Sequence, residues 1–153
     1  MALSAEPRLI YADSSALVKL VIEEAESAAL ERHLTGDCVL ATSRIAAVEV
    51  SRATALANPS REVSEEVDRL LGSLMLVAVT AQLLRSARKL AGAAVGTLDA
   101  IHLASALRLE PDELLAYDRR LLTAATEHGL TVASPVADSP SESINYFPRM
   151  GSN

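Results

Sequence analysis

Short apolar runs alternate along this chain with longer segments whose apolar residues recur every three or four positions. The runs have the length of buried strands, and the longer segments have one apolar face, as amphipathic helices do. Strands alternating with helices favour a mainly parallel sheet of four to five strands, covered by helices on both faces. We predict strands at about 9–12, 38–41, 75–79, 113–116 and 130–133, with helices at about 15–22, 23–34, 44–56, 62–71, 81–90, 97–109 and 118–127.

Short polar residues precede several of the predicted helices. Their side-chain oxygens can accept hydrogen bonds from the unpaired N–H groups of a first helical turn. On this basis, Ser14 or Ser15 would cap the first helix, Thr42 or Ser43 the third, and Thr97 the sixth.

The chain has 153 residues, half of them hydrophobic, which is enough for one α/β domain with a packed core. We place that domain at residues 9–133, after a loose lead-in over residues 1–8. Residues 134–153 are rich in Ser, Pro, Asp and Asn, so we expect an irregular tail there. Its final Gly-Ser-Asn is compatible with a cloning remnant.

The sequence favours a soluble cytoplasmic protein. Glu6, Pro7 and Arg8 interrupt any apolar stretch of the kind found in signal peptides. The most apolar later stretch, residues 74–79, is too short to span a bilayer. Cys38 is the one cysteine, which excludes an internal disulfide and is consistent with a reducing compartment.

The formal net charge of -6 argues against general binding to nucleic acid through bulk electrostatics. Aromatic residues are 3% of the chain and Trp is absent, so stacking platforms for single strands are also lacking. Contact with a nucleic acid would therefore need a cation and a local basic patch.

Four acidic residues fall where they could converge. Asp13 and Asp118 directly follow predicted strands, and Asp99 lies just after the start of a helix. Glu49 belongs to a predicted inward stripe at i, i+3, i+4 and i+7, formed by Ile45, Val48, Glu49 and Arg52. Clustered carboxylates either raise one another's pKa or bind a hard cation, and an all-oxygen site suits Mg²⁺ or Mn²⁺. Hydrolysis of a phosphodiester is the chemistry that such an ion supports.

Each acid also has a structural interpretation. Asp13 and Asp118 could be helix N-caps, and Asp99 could simply favour the helix dipole. Glu49 could form an ion pair with Arg52 or Arg44.

Around these acids the sequence resembles PIN domains, and more narrowly the VapC-type toxins of bacterial toxin–antitoxin pairs. The resemblance covers about residues 9–133, and its most specific part is Asp-Ala-Ile-His-Leu-Ala. It rests on segments 13–17 (Asp-Ser-Ser-Ala-Leu), 47–50 (Ala-Val-Glu-Val), 97–104 (Thr-Leu-Asp-Ala-Ile-His-Leu-Ala) and 117–121 (Tyr-Asp-Arg-Arg-Leu).

The resemblance implies a three-layer α/β/α sandwich and a metal-dependent endoribonuclease. It also implies a dimer or a higher assembly with a cognate antitoxin that blocks the site. Carried over by position, Asp13, Glu49 and Asp99 match the metal-binding acids, and Asp118 matches a less constant fourth acid. Ala116 stands where the family often has Thr or Ser, which leaves one secondary polar contact in question.

Several other residues have two interpretations. Ser15 matches a hydroxyl residue that supports the first acid in the family, or it caps the helix. His102 could pair with Asp99 as a ligand of zinc or iron, but its apolar surroundings favour a hydrogen-bonded packing role. Arg119, Arg120 and Lys19 could contact RNA phosphates, or they could be ordinary solvated or ion-paired side chains.

We therefore predict an Mg²⁺- or Mn²⁺-dependent endoribonuclease that acts as an antitoxin-inhibited toxin. One alternative is a catalytically silent PIN-like module that only binds a partner. Another is a phosphoryl-handling α/β hydrolase with Asp13 as the covalent acceptor. The second alternative is disfavoured because Ser15 stands where a dehalogenase-type phosphatase has a second Asp.

Overall fold

The computed structural model describes residues 5–137, and in that range five strands alternate with seven helices. Their order confirms the predicted α/β pattern. The elements are β1 (Arg8–Ala12), α1 (Ser14–Lys19), α2 (Ser27–His33), β2 (Cys38–Ser43), α3 (Ala46–Ala57), α4 (Arg61–Ser73), β3 (Met75–Val77), α5 (Ala81–Leu90), α6 (Thr97–Leu109), β4 (Glu113–Leu115), α7 (Arg119–Glu127) and β5 (Val132–Ala133).

All the strand pairings are parallel, in the order β3-β2-β1-β4-β5. The central strand β1 pairs with β2 on one side and with β4 on the other, so that Tyr11 lies opposite Ala41 and Leu114. The carboxyl ends of the strands therefore meet at one end of the sheet, as predicted. In open α/β sheets this is the end where ligands bind.

The core has one layer on each face of the sheet, because successive side chains of a strand point to opposite faces. Ile10 and Ala12 pack with residues of α1, α2, α3 and α4. Tyr11, between them, packs with residues of α6 and α7. Helix α5 packs against α6 in a third apolar cluster. No helix within residues 5–137 is long and apolar enough to cross a membrane.

Three of the predicted helix caps are wrong. Asp13 caps α1, accepting from the backbone N of Ala16 at 3.1 Å, in place of Ser14 or Ser15. Thr42 and Ser43 belong to β2, which extends two residues further than predicted because β3 pairs with both of them. Gly96 is the N-cap of α6, and Thr97 is its first helical residue.

The end of the first predicted helix and the start of the second also change. Helix α1 ends at Lys19, because the hydroxyl of Ser27 donates to the Lys19 carbonyl at 2.7 Å and accepts from the Glu24 N–H at 2.9 Å. These bonds form a turn where the sequence predicts one helix following another. The predicted tail lies outside the described residues from 138 onward.

Candidate metal centre

The four predicted acids occupy the carboxyl end of the sheet. Asp13 follows β1, Asp118 precedes α7 after β4, Glu49 is in the first turn of α3 after β2, and Asp99 is in the first turn of α6. Their charges act on one another: Asp118 raises the pKa of Asp13, and Asp118 and Glu49 both raise that of Asp99. The structure therefore brings together residues up to 105 positions apart (118 - 13).

Asp13 is held in place by hydrogen bonds that involve the segment after β1 and the segment after β4. It is 5% exposed, and its Oδ1 accepts from the Ser15 hydroxyl at 2.6 Å as well as from the Ala16 N–H. The same Ser15 oxygen accepts from the Tyr117 N–H at 2.9 Å, which ties the segment after β1 to the segment after β4. Ser15 thus supports the first acid and does not cap the helix.

Burial raises the pKa of Asp13, although the Ser15 hydroxyl, the charge of His102 and the Ala16 N–H all act in the opposite direction. Burial also raises the pKa of Asp99, with further contributions from the charges of Asp118 and Glu49. Both carboxyl groups therefore carry unfavourable negative charge that a nearby cation would relieve.

Glu49 is fixed through one oxygen. Its Oε1 lies 2.7 Å from His102 Nε2 and accepts from the Ser14 hydroxyl at 2.8 Å. Burial alone would raise the pKa of Glu49, but the hydrogen bond and charge of His102, with the Ser14 hydroxyl, hold it below its usual value. Among the described residues, His102 is the basic side chain that contacts Glu49, and neither Arg44 nor Arg52 pairs with it.

The predicted inward stripe of α3 is wrong. Val48 is 73% exposed and Arg52 is also exposed, whereas the buried face consists of Ala46, Val50 and Thr54. These three residues are spaced i, i+4, i+8, and their face of α3 packs toward β1 and α1. Glu49 lies at the border of that face, where it is half-buried and reaches the end of the sheet.

Tyr11 and Ser14 belong to this site although the sequence analysis did not assign them to it. His102 joins them as the buried, hydrogen-bonded residue that its apolar surroundings indicated. His102 is 2% exposed, and its Nδ1 lies 2.7 Å from the Tyr11 hydroxyl. The two rings meet edge to face, with centroids 6.0 Å apart. The sequence did contain signals, because Tyr11 is two residues before Asp13 on a strand and His102 is one helical turn after Asp99.

Asp118 is exposed and caps α7, its Oδ1 accepting from the N–H groups of Arg120 at 2.8 Å and Leu121 at 3.2 Å. Asp118 is therefore a helix N-cap, as one interpretation had it. It also lies near enough to Asp13 and Asp99 for its charge to act on both. Arg120 is close enough to Asp99 for its charge to lower that acid's pKa in part.

Arg119 and Arg120 are exposed beside the acids, whereas Lys19 is engaged elsewhere. The two arginines line a groove of about 360 Å³ together with Ala93, Ala94, Val95, Thr123, Ala124 and Glu127. The Lys19 ammonium is ion-paired with Glu24 at 2.6 Å and Glu26 at 3.2 Å, and it lies 4.8 Å from the centroid of the Tyr117 ring. These contacts give Lys19 a structural role, and its contact with RNA phosphates stays a prediction.

The donor set fits a small hard cation. In each of Asp13, Glu49 and Asp118, one carboxylate oxygen receives two protein hydrogen bonds, and the other receives none from residues 5–137. In the same range, no three acidic, His or Cys side chains stand close enough to enclose one ion directly. An ion here would be held by one or two carboxylates and otherwise through water, which is how Mg²⁺ usually binds.

Comparisons with known proteins find similarity over most of the chain. A sequence model of the PIN domain matches residues 10–129. Two curated relatives from Mycobacterium tuberculosis are similar over most of their length. Ribonuclease VapC46 is 41% identical, covering 82% of this chain and 97% of the relative, and ribonuclease VapC47 is 35% identical, covering 84% and 98%.

Solved structures resemble the fold at lower sequence identity. VapC20 of Mycobacterium tuberculosis, described as a toxin that cleaves the sarcin-ricin loop, superposes with a TM-score of 0.67 at 19% identity, covering 82% of this chain and 99% of that one. VapBC2 of Rickettsia felis, solved with a fragment of promoter DNA, gives 0.61 at 12% identity, covering 82% and 98%.

Proposed function

This chain belongs to the PIN-domain family, and from that premise we propose that it is the ribonuclease toxin of a toxin–antitoxin pair. The observation that carries the proposal is the convergence of four carboxylates at the carboxyl end of the sheet. The reaction is divalent-metal-dependent hydrolysis of RNA phosphodiester bonds within the strand. Products with 5′-phosphate and 3′-hydroxyl ends are expected for the family.

One or two of four carboxylates would hold the ion directly, and the others would hold it through water; the four are Asp13, Glu49, Asp99 and Asp118. We assign Mg²⁺, with Mn²⁺ as a substitute, because each of three acids offers one free oxygen and Mg²⁺ combines few carboxylate ligands with water. Ca²⁺ takes about six to eight oxygen ligands, more of them from the protein, which suits this arrangement less well. When bound, the ion would activate water and stabilise the charge that develops on the phosphate.

The protein's own contribution is to fix the acids and to bind the RNA. Ser15 and Ser14 lock Asp13 and Glu49 before substrate arrives, so little reorganisation remains for the reaction itself. Arg119 and Arg120 would contact the phosphates that flank the scissile bond, a role supported by their exposure and by the groove that they line along α7.

The partner is a cognate antitoxin that blocks the acidic site. Several similar solved structures are toxin–antitoxin complexes, among them one from Klebsiella pneumoniae and VapBC-1 of Haemophilus influenzae. We propose a dimer of this chain, or a larger assembly with the antitoxin, acting in the cytoplasm where its RNA substrates are found.

The test is RNA cleavage by the purified chain with and without EDTA. Asp13→Asn and Asp99→Asn should each reduce cleavage about a hundredfold or more, because each removes a charge that binds the ion. Asp37→Asn is the matched control, since Asp37 is exposed just before β2, at the opposite end of the sheet. Cleavage that survives both site substitutions and EDTA would reject the assignment.

A further inference from the structure

We propose that His102 and Tyr11 are positioning residues of the nuclease reaction, which hold Glu49 by its Oε1 so that its Oε2 stays available to the metal site. The inference rests on the proposed function. Neither residue needs to touch RNA or the ion. They act through Glu49, and they do so from the interior of the domain.

The contacts form a continuous chain from the core to the acid. Tyr11 is fully buried in the central strand, its hydroxyl lies 2.7 Å from His102 Nδ1, and His102 Nε2 lies 2.7 Å from Glu49 Oε1. Only the last member is appreciably accessible, with 24% of the Glu49 side chain exposed against 3% for His102. Both ring nitrogens of the buried His102 thus contact side chains, and one of these side chains is the site acid Glu49.

The chemistry of the partners sets the direction of the hydrogen bond to Glu49. A carboxylate oxygen can only accept, so His102 Nε2 is the donor to Glu49 Oε1. The Tyr11 hydroxyl can both donate and accept, so it satisfies Nδ1 of the ring in either protonation state. Tyr11 therefore fixes the imidazole in the orientation that points an N–H at Glu49.

The chain of contacts also links two site acids through one strand. Tyr11 lies two residues before Asp13, and β1 is paired on both sides at Tyr11. Ser14, next to Asp13, is the second donor to Glu49 Oε1. Segment 11–15 therefore sets the position of Asp13 directly and that of Glu49 through His102, although Glu49 is on another helix.

A packing role alone would not require this arrangement. Glu has three rotatable side-chain bonds, and holding them costs entropy unless donors define the position of the carboxylate. A shift of about 1 Å in a catalytic group can cost up to about a hundredfold in rate. At saturating divalent metal, loss of positioning should therefore lower kcat and leave the KM for RNA unchanged, because the RNA contacts remain intact.

The experiment compares Tyr11→Phe, His102→Gln and His102→Leu in the full chain. Gln keeps an N–H donor near the Nε2 position, whereas Leu has none. We expect kcat to fall about tenfold in Tyr11→Phe and in His102→Gln and further in His102→Leu, with KM within about twofold of the original. Binding of Mn²⁺ alone, measured by calorimetry, should weaken in the same order.

Thr54→Val is the matched control. Thr54 is a buried residue of the same helix as Glu49, and its hydroxyl donates to the Val50 carbonyl at 2.8 Å. This variant should lose stability while keeping kcat and Mn²⁺ affinity. If a His102 variant does not fold, Ser14→Ala removes the other donor to Oε1 from a half-exposed position and should also lower kcat with KM unchanged.

The two proposals fail separately. If the original chain cleaves RNA in an EDTA-sensitive manner and the Tyr11 and His102 variants match its kcat and Mn²⁺ affinity, the positioning role is wrong and the nuclease stands. If the original chain does not cleave RNA, the nuclease is wrong, and Mn²⁺ affinity across the same variants still decides the positioning of Glu49.

Discussion

At the scale of one residue, Asp13 shows that a buried acid of the site can lower the stability of the folded protein. Its carboxylate is nearly inaccessible to solvent, and burial raises its pKa even though a hydroxyl and an N–H both bond to it. A raised pKa in the folded state means that folding favours the protonated form. Ionisation of this buried carboxyl group therefore lowers the free energy of unfolding.

We predict that Asp13→Asn increases the free energy of unfolding of the metal-free protein at pH 7. Asn can still accept at Oδ1 from Ser15 and Ala16, so the cap is kept and only the charge is removed. The difference from the original chain should vanish below the unfolded pKa of about 3.9 and grow as pH rises through the higher folded value. Urea denaturation at several pH values measures it, and a less stable variant at pH 7 would contradict the prediction.

The sequence predicted the four acids, and Ser15 as a support of Asp13, but not the residues that hold Glu49. Asp13 and Asp118 could be found because each follows an apolar run, which is a local signal. The partners of Glu49 lie 35 and 53 positions away, and no local pattern connects Ser14 or His102 with it. Glu49 was selected partly from a predicted inward stripe of α3 that is wrong. The resemblance to PIN domains pointed to the same residue independently.

At the scale of elements, helix beginnings depend on backbone geometry as much as on residue type. Thr80 is in extended conformation before α5, and its hydroxyl accepts from the Leu83 N–H at 3.1 Å. Thr97 has the same side chain but is already inside α6, after the N-cap Gly96. The two threonines therefore differ in what they contribute to stability.

We predict that Thr80→Ala lowers the free energy of unfolding by about 1 kcal/mol, because the Leu83 N–H loses its partner. Thr97→Ala should change it by less than about 0.5 kcal/mol, since no cap is removed and Ala favours helix. Chemical denaturation of the two variants side by side measures both effects. Equal losses would show that Thr97 caps α6 after all.

Element type was more predictable than element boundaries. The limits of α5 were predicted to the residue, because an N-cap Thr and a clear apolar face define it. The end of β2 was not, since Thr42 and Ser43 look like cap residues and are held in the strand by pairing with β3. That pairing is a tertiary contact, and tertiary contacts override local preference.

At the scale of the molecule, a chain with a net charge of -6 must bind a polyanion. The acids at the carboxyl end of the sheet increase the repulsion there. Arg119 and Arg120 are the cations that line the neighbouring groove. RNA binding should therefore depend on few phosphate contacts and on the divalent ion.

We predict a shallow salt dependence for RNA binding by the Asp99→Asn variant at fixed Mg²⁺. Two phosphate contacts to a single strand correspond to a slope of about -1.4 in log affinity against log salt concentration. Replacing both Arg119 and Arg120 by Ala should bring the slope toward zero, as fluorescence anisotropy would show. Replacing Arg61 and Arg69, which are ion-paired with Glu65 and Glu66 on α4, should leave the slope unchanged.

The sheet also ends in two very short outer strands, β3 with three residues and β5 with two. Each offers few free backbone groups to a strand from another molecule, which is one way in which natural proteins avoid polymerising through their sheets. A toxin separated from its antitoxin exposes the surface that the partner covered. Because the strands at both edges of the sheet are so short, the free enzyme should not aggregate through them and should remain available to bind its RNA.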